Sequence, residues 1–104
     1  MKPISAQQIA AILGVHLAAG NPDALVSGGV STDTRKLPQG SAFFALRGEN
    51  FDGDAFAPQA LAAGASLVIV HNWAGDVPEN AAVIEVADTL LALQRLAHWW
   101  QIGR

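Results

Sequence analysis

Five consecutive polar residues, Ser31-Thr32-Asp33-Thr34-Arg35, stand where an apolar stretch gives way to a turn. Ser and Thr hydroxyls donate and accept hydrogen bonds, Asp accepts, and Arg presents a planar fork of donors. That mixture suits the edge of a uracil, a ribose or a phosphate. It equally suits a turn with an Asp cap and a surface arginine. A second stretch, Gly48-Glu49-Asn50-Phe51-Asp52-Gly53, carries glycine at both ends, which lets a backbone approach a ligand closely. Phe51 within it could stack on a planar base, or the stretch is a plain connecting loop. It is no phosphate loop: no Lys follows, and three acids fall between Glu49 and Asp54 inclusive.

His16, His71 and His98 lie far apart, with no i, i+4 pairing and no carboxylate at ligand spacing. They read as surface or satisfied core histidines, and no metal site is expected. Cysteine is absent, which excludes a thiolate metal site, a disulfide framework and a cysteine nucleophile.

The elements that position these residues follow from local signals. Ser5 and Gln8 fit a capping box opening a helix to about Leu13, with Gly14 as its stop. Residues Ala18 to Asp23 read as a turn, and Val26 to Thr32 as a glycine-bearing strand ending in the polar run. Leu37 to Gly40 is a turn, Ala42 to Leu46 a short buried strand, and Gly48 to Gly53 a polar loop. Asp54 would cap a helix through Ala63, with Pro58 in its first turn and Phe56, Ala60 and Ala63 on one face.

Gly64 ends that helix, and Leu67-Val68-Ile69-Val70 suits a central strand covered on both faces. Trp73 to Asn80 is a loop, and Ala82 to Val86 another strand. Asp88 caps the last helix, in which Leu90, Leu93, Ala97 and Trp100 share a stripe. One of Trp99 and Trp100 should enter the core, because adjacent helical positions point about 100° apart. Helices alternating with short strands predict a three-layer α/β/α domain with a small mixed or parallel sheet.

Composition sets the outer bounds. A chain of 104 residues, 51% hydrophobic and 14% charged, is one ordered domain with a real core. A net charge of −3 with six scattered Lys and Arg builds no basic face, so no nucleic-acid partner is expected. No apolar run approaches the ~20 residues of a membrane span, and the start has no apolar signal core. A cytoplasmic domain without a membrane partner is the expectation.

The stretch from Ser31 to Arg35, then Leu37 to Gly53, Phe56, Gln59-Ala60, Ala63-Gly64-Ala65 and Val68-Ile69-Val70, resembles the amino-terminal domain of the Mur ligases. Within that family the Asp-Thr-Arg triplet and the phrase Ala-Leu-Arg-Gly-Glu-Asn resemble the branch that adds D-alanyl-D-alanine. The sister branch that adds the third peptide residue is the alternative. One departure stands out: Asp54 occupies a position where the family commonly has His.

The resemblance implies that residues 1–104 form a UDP-binding domain, a fragment lacking the central ATPase and carboxy-terminal domains. It would anchor UDP-MurNAc-tripeptide through its UDP moiety. The complete ligase uses ATP and Mg2+ to form an acyl phosphate, which the amine of D-alanyl-D-alanine attacks. No Gly-x-x-x-x-Gly-Lys-Ser/Thr occurs here, so the fragment would hold no catalytic residue, bind no cofactor and be inactive alone. The resemblance places Thr32 and Thr34 on one wall of the uridine site and Glu49, Asn50 and Phe51 on the other. Ser31, Asp33 and Arg35 would be supports or additional ligands. A free-standing nucleotide-binding module, or an interaction domain docking a partner through an apolar surface, is the rival expectation.

Overall fold

The computed structural model describes residues 3–48 and 51–102. Strand β1 (Ile4–Ser5) leads directly into helix α1 (Ala6–Leu13). Ser5 Oγ accepts the Gln8 N–H at 3.1 Å and Gln8 Oε1 accepts the Ser5 N–H at 3.0 Å, the reciprocal pairing expected of these residues. Gly14 closes the helix at φ 73°, a left-handed conformation that favours glycine.

The chain continues through β2 (Leu17–Gly20), β3 (Leu25–Val26), β4 (Val30–Ser31), β5 (Ala42–Phe44), β6 (Arg47–Gly48) and β7 (Phe51–Asp52). Helix α2 (Ala57–Ala62), β8 (Leu67–Val70), β9 (Ala82–Glu85) and helix α3 (Thr89–Ile102) complete it. The main sheet has the order β2-β9-β8-β5-β4. Its β4–β5, β5–β8 and β8–β9 pairs are parallel, and β2 joins the edge antiparallel to β9. Small antiparallel pairs β1–β3 and β6–β7 stand beside it.

Alternation along the inner strands builds the layers. Phe44, Leu67, Ile69 and Ile84 pack with Ile9 and Leu13 of α1 and Ala92 and Leu96 of α3. Phe43, Val68, Val70 and Val83 point to the other face, against Ala57, Ala60 and Leu61 of α2. With every residue of β8 buried, each large side chain there contributes about 1.5–3 kcal/mol. The domain is α/β with a mixed sheet between helices, as the element pattern predicts.

Several expectations are corrected. Residues Leu17–Gly20 are a strand, so the expected turn from Ala18 shrinks to the bends after Asn21. Leu-Ala-Ala-Gly has no β-branched residue, and pairing with β9, irregular between Leu17 and Ala19, decides its state. The expected strand over Val26 to Thr32 is broken at Gly28, whose N–H, like that of Ser27, turns to the Gly40 carbonyl. A Cβ on Gly28 would sit 2.5 Å from the Gln39 carbonyl oxygen.

The expected polar loop over Gly48 to Gly53 holds the β6–β7 pair. Asp52, not Asp54, caps the next turn by accepting the Asp54 N–H at 3.0 Å. A 3-10 turn over Gly53–Phe56 then precedes α2, with Pro58 in the first turn of the helix as expected. That turn rotates the helix, burying Ala57, Ala60 and Leu61 and leaving Phe56 and Ala63 exposed. In α3, Asp88 Oδ1 accepts the Leu91 N–H at 3.0 Å, but the buried positions are Thr89, Ala92 and Leu96. Leu90 and Ala97 are exposed, Leu93 is half-buried, and Trp99 is 37% exposed. The side chain of Trp100 lies outside the described residues.

Candidate functional site: a cleft at the carboxyl ends of the strands

A cleft of about 650 Å³ opens beyond the carboxyl ends of β4 and β5. Ligands of open parallel sheets settle at such strand ends, and the volume is that of an ordinary small-molecule pocket. Thr32, Asp33, Thr34 and Arg35 form one wall. Phe43 and Leu46 form the apolar floor, and Gly53, Phe56 and Gln59 form the opposite wall.

Local chemistry fixes the first wall. Ser31 Oγ accepts the Asp33 N–H and donates to the Asp33 carbonyl, both at 3.1 Å, so Ser31 shapes the turn and does not line the cleft. Asp33 Oδ1 accepts the Arg35 N–H at 2.9 Å, capping the 3-10 turn Thr34–Lys36. Arg35 Nε and Nη2 donate to the two Asp33 oxygens, each at 3.1 Å, a forked pair. Hydrogen bonds from the Arg35 side chain and backbone hold the Asp33 carboxyl below its usual range. The same pairing raises the Arg35 guanidinium. Thr32, Thr34 and Gln59 lend no side-chain hydrogen bond to another described residue. All three line the cleft.

The second wall is positioned by a polar clip at the end of the sheet. Asp54 accepts the backbone N–H groups of His71 (3.0 Å) and Asn72 (3.0 Å), just past the end of β8. Its Oδ1 also lies 3.0 Å from Nδ1 of His71, which carries the shared hydrogen because an ionised carboxylate only accepts. Burial by itself would raise the Asp54 carboxyl, but the donors from His71 and Asn72 hold it below its ordinary value. Thr89 Oγ1, buried, donates to the Ala45 carbonyl at 2.8 Å and lies 3.3 Å from His71 Nε2. The turn bearing Gly53 and Phe56 is thus tied to β5, β8 and α3 together.

Asp52, Asp54 and His71 bring three possible metal-ligand atoms within 4.8 Å of one another. Arg47 supplies the positive charge there, its guanidinium 3.5 Å from Asp52 and 4.0 Å from Asp54. Asp54 already spends its oxygens on N–H donors. The cluster is an ion-pair network that braces the wall.

Of the residues singled out in the sequence, Thr32, Asp33, Thr34 and Arg35 meet in the cleft. Ser31 stands behind them. Glu49, Asn50 and the side chain of Phe51 lie outside the described residues. Phe43, Leu46, Phe56 and Gln59 were not anticipated as lining residues. Phe56 and Gln59 stand three apart at the start of α2, a signal hidden by the expected placement of Phe56 on the buried face.

Residues 27–101 match the family model described as Mur ligase family, catalytic domain. The chain belongs to the Mur ligase family. Over 91 residues, 88% of its length, it is 46% identical to the UDP-N-acetylmuramoyl-tripeptide--D-alanyl-D-alanine ligase of Bacillus subtilis, covering 20% of that protein. It is 47% identical over 72 residues to the Synechocystis ligase of the same name, covering 69% of this chain and 16% of the relative. Among solved structures it resembles the UDP-N-acetylmuramoylalanyl-D-glutamyl-2,6-diaminopimelate--D-alanyl-D-alanyl ligase from Acinetobacter baumannii. The match has a TM-score of 0.78 and 32% identity, covering 95% of this chain and 22% of that one. The chain thus spans about a fifth of the length of the curated relatives it matches. Among the described residues, no helix is long and apolar enough to cross a membrane.

Proposed function

We propose that this Mur ligase domain anchors the UDP moiety of UDP-MurNAc-tripeptide for a longer ATP-dependent ligase that adds D-alanyl-D-alanine. One observation carries the reading: the strand-end run Thr32 to Arg35 faces Gly53, Phe56 and Gln59 across one cleft with an apolar floor. Hydroxyls and a carboxamide along an apolar slot match a ring whose faces are apolar and whose edges hydrogen-bond. Thr32 and Thr34 are the polar contacts of the first wall, with Ser31, Asp33 and Arg35 supporting them. The family resemblance adds Glu49, Asn50 and Phe51 as further candidates for contact with the ligand.

The relatives at 46% and 47% identity, both named as D-alanyl-D-alanine ligases, support this branch of the family. ATP and Mg2+ act outside these 104 residues, because the chain has no phosphate loop. The full ligase would work in the cytoplasm, on a precursor of peptidoglycan. A calorimetric titration of the domain with UDP-MurNAc-tripeptide, UMP and AMP tests the reading. Binding of both uridine ligands with a weaker or absent response to AMP is expected. Equal binding of AMP, or no binding of either uridine ligand, would overturn it.

A further inference from the structure

The cleft is unusual for a nucleotide site in its charge inventory. Its floor is apolar, and Thr32, Thr34 and Gln59 are neutral. Among the described residues its one lining cation, Arg35, is clamped by both oxygens of Asp33. The neighbouring Arg47 is likewise paired, with Asp52 and Asp54. A guanidinium held against a carboxylate presents almost no net charge to a third group, since attraction by one is offset by repulsion from the other.

We infer that the cleft selects the uncharged nucleoside part of its ligand, and that Asp33 cancels the charge by which Arg35 would otherwise favour the diphosphate. This rests on the uridine-site reading above and adds to it which part of the ligand supplies the affinity. The neutral donors and acceptors grip base and ribose. The phosphates gain nothing from this wall, so their capture falls to groups outside it.

The experiment is a calorimetric comparison of uridine, UMP and UDP on the 104-residue chain, at low and at high sodium chloride. Dissociation constants within about threefold of one another, changing less than about twofold with salt, are expected for ligands that meet no net charge. UDP binding more than about tenfold tighter than uridine, with the advantage lost in high salt, would overturn the inference while leaving the uridine site standing. Absence of binding by all three would overturn both.

Asp33→Asn gives the second arm. Asparagine keeps an oxygen to accept the Arg35 backbone N–H but no longer neutralises the guanidinium. With folding checked by circular dichroism, the preference for UDP over uridine should rise several-fold at low salt and fall back at high salt. An unchanged ratio in that variant would show that Asp33 does not set the selectivity and would overturn the inference.

Discussion

Asp54 Oδ1 lies 3.0 Å from Nδ1 of His71, and this contact closes the carboxyl end of β8. The N–H of His71 turns to Asp54, while the Ala45 carbonyl on the neighbouring strand accepts from Thr89. Two side chains from distant segments therefore satisfy backbone groups where the sheet ends. They also fix the turn that carries the second wall of the cleft.

Replacing Asp54 with Ala would leave the His71 and Asn72 N–H groups without their acceptor, at a cost of about 1–3 kcal/mol. Urea unfolding at neutral pH checks this. The acid side gives the sign. The Asp54 carboxyl is depressed below its ordinary value of 3.8, so its contribution is present above that value and is lost as pH falls through the lowered one. Wild-type stability should therefore fall toward Asp54→Asn as pH drops below about 4, and the gap between them should narrow. A gap constant from pH 7 to pH 3 would be the wrong result.

Gly28→Ala places a methyl 2.5 Å from the Gln39 carbonyl, backbone against backbone, so the turn joining β3 to β4 must shift. Overpacking of this kind costs about 1–3 kcal/mol. A thermal melt should show a midpoint lower by roughly 4–8 °C per kcal/mol in a domain of this size.

Much of this frame was legible locally. The Ser5–Gln8 box, the Gly14 stop and the buried run Leu67 to Val70 depend on neighbours in sequence, and the structure keeps them. What was not legible depends on distant partners. Leu17–Gly20 becomes a strand only because β9 lies beside it, and Asp54 leaves its expected capping role for a partner 17 residues away. The single 3-10 turn before α2 re-aims Phe56 and Gln59 into the cleft, which no periodicity count would reveal. The polar run at Ser31 to Arg35 was legible as chemistry, with Asp33 and Arg35 read as supports or additional ligands; the forked Asp33–Arg35 pair decides for support.

Core and cleft share one residue, Phe43. Phe43→Ala removes a ring that both fills the α2-side core and floors the cleft, and should cost about 3–5 kcal/mol. Chemical denaturation measures it. Because the ring also floors the cleft, the protein that remains folded should bind a uridine ligand more weakly than wild type.

Thr34→Val keeps the shape of the side chain and removes its hydroxyl. Stability should stay within about 0.5 kcal/mol, because no described residue hydrogen-bonds that hydroxyl. Affinity for a uridine ligand should fall by about 1–3 kcal/mol, or roughly five- to 150-fold, if a ligand group is left unpaired. Paired unfolding and calorimetric titrations separate the two effects.

The most direct measurement is a residue-resolved NMR titration with UDP-MurNAc, using UMP and AMP as comparisons. Shifts should concentrate at residues 31–35 and across the second wall from Leu46 to Gln59, and should be larger for the uridine ligands than for AMP. Shifts centred elsewhere on the domain, or an equal response to AMP, would contradict a uridine site in this cleft.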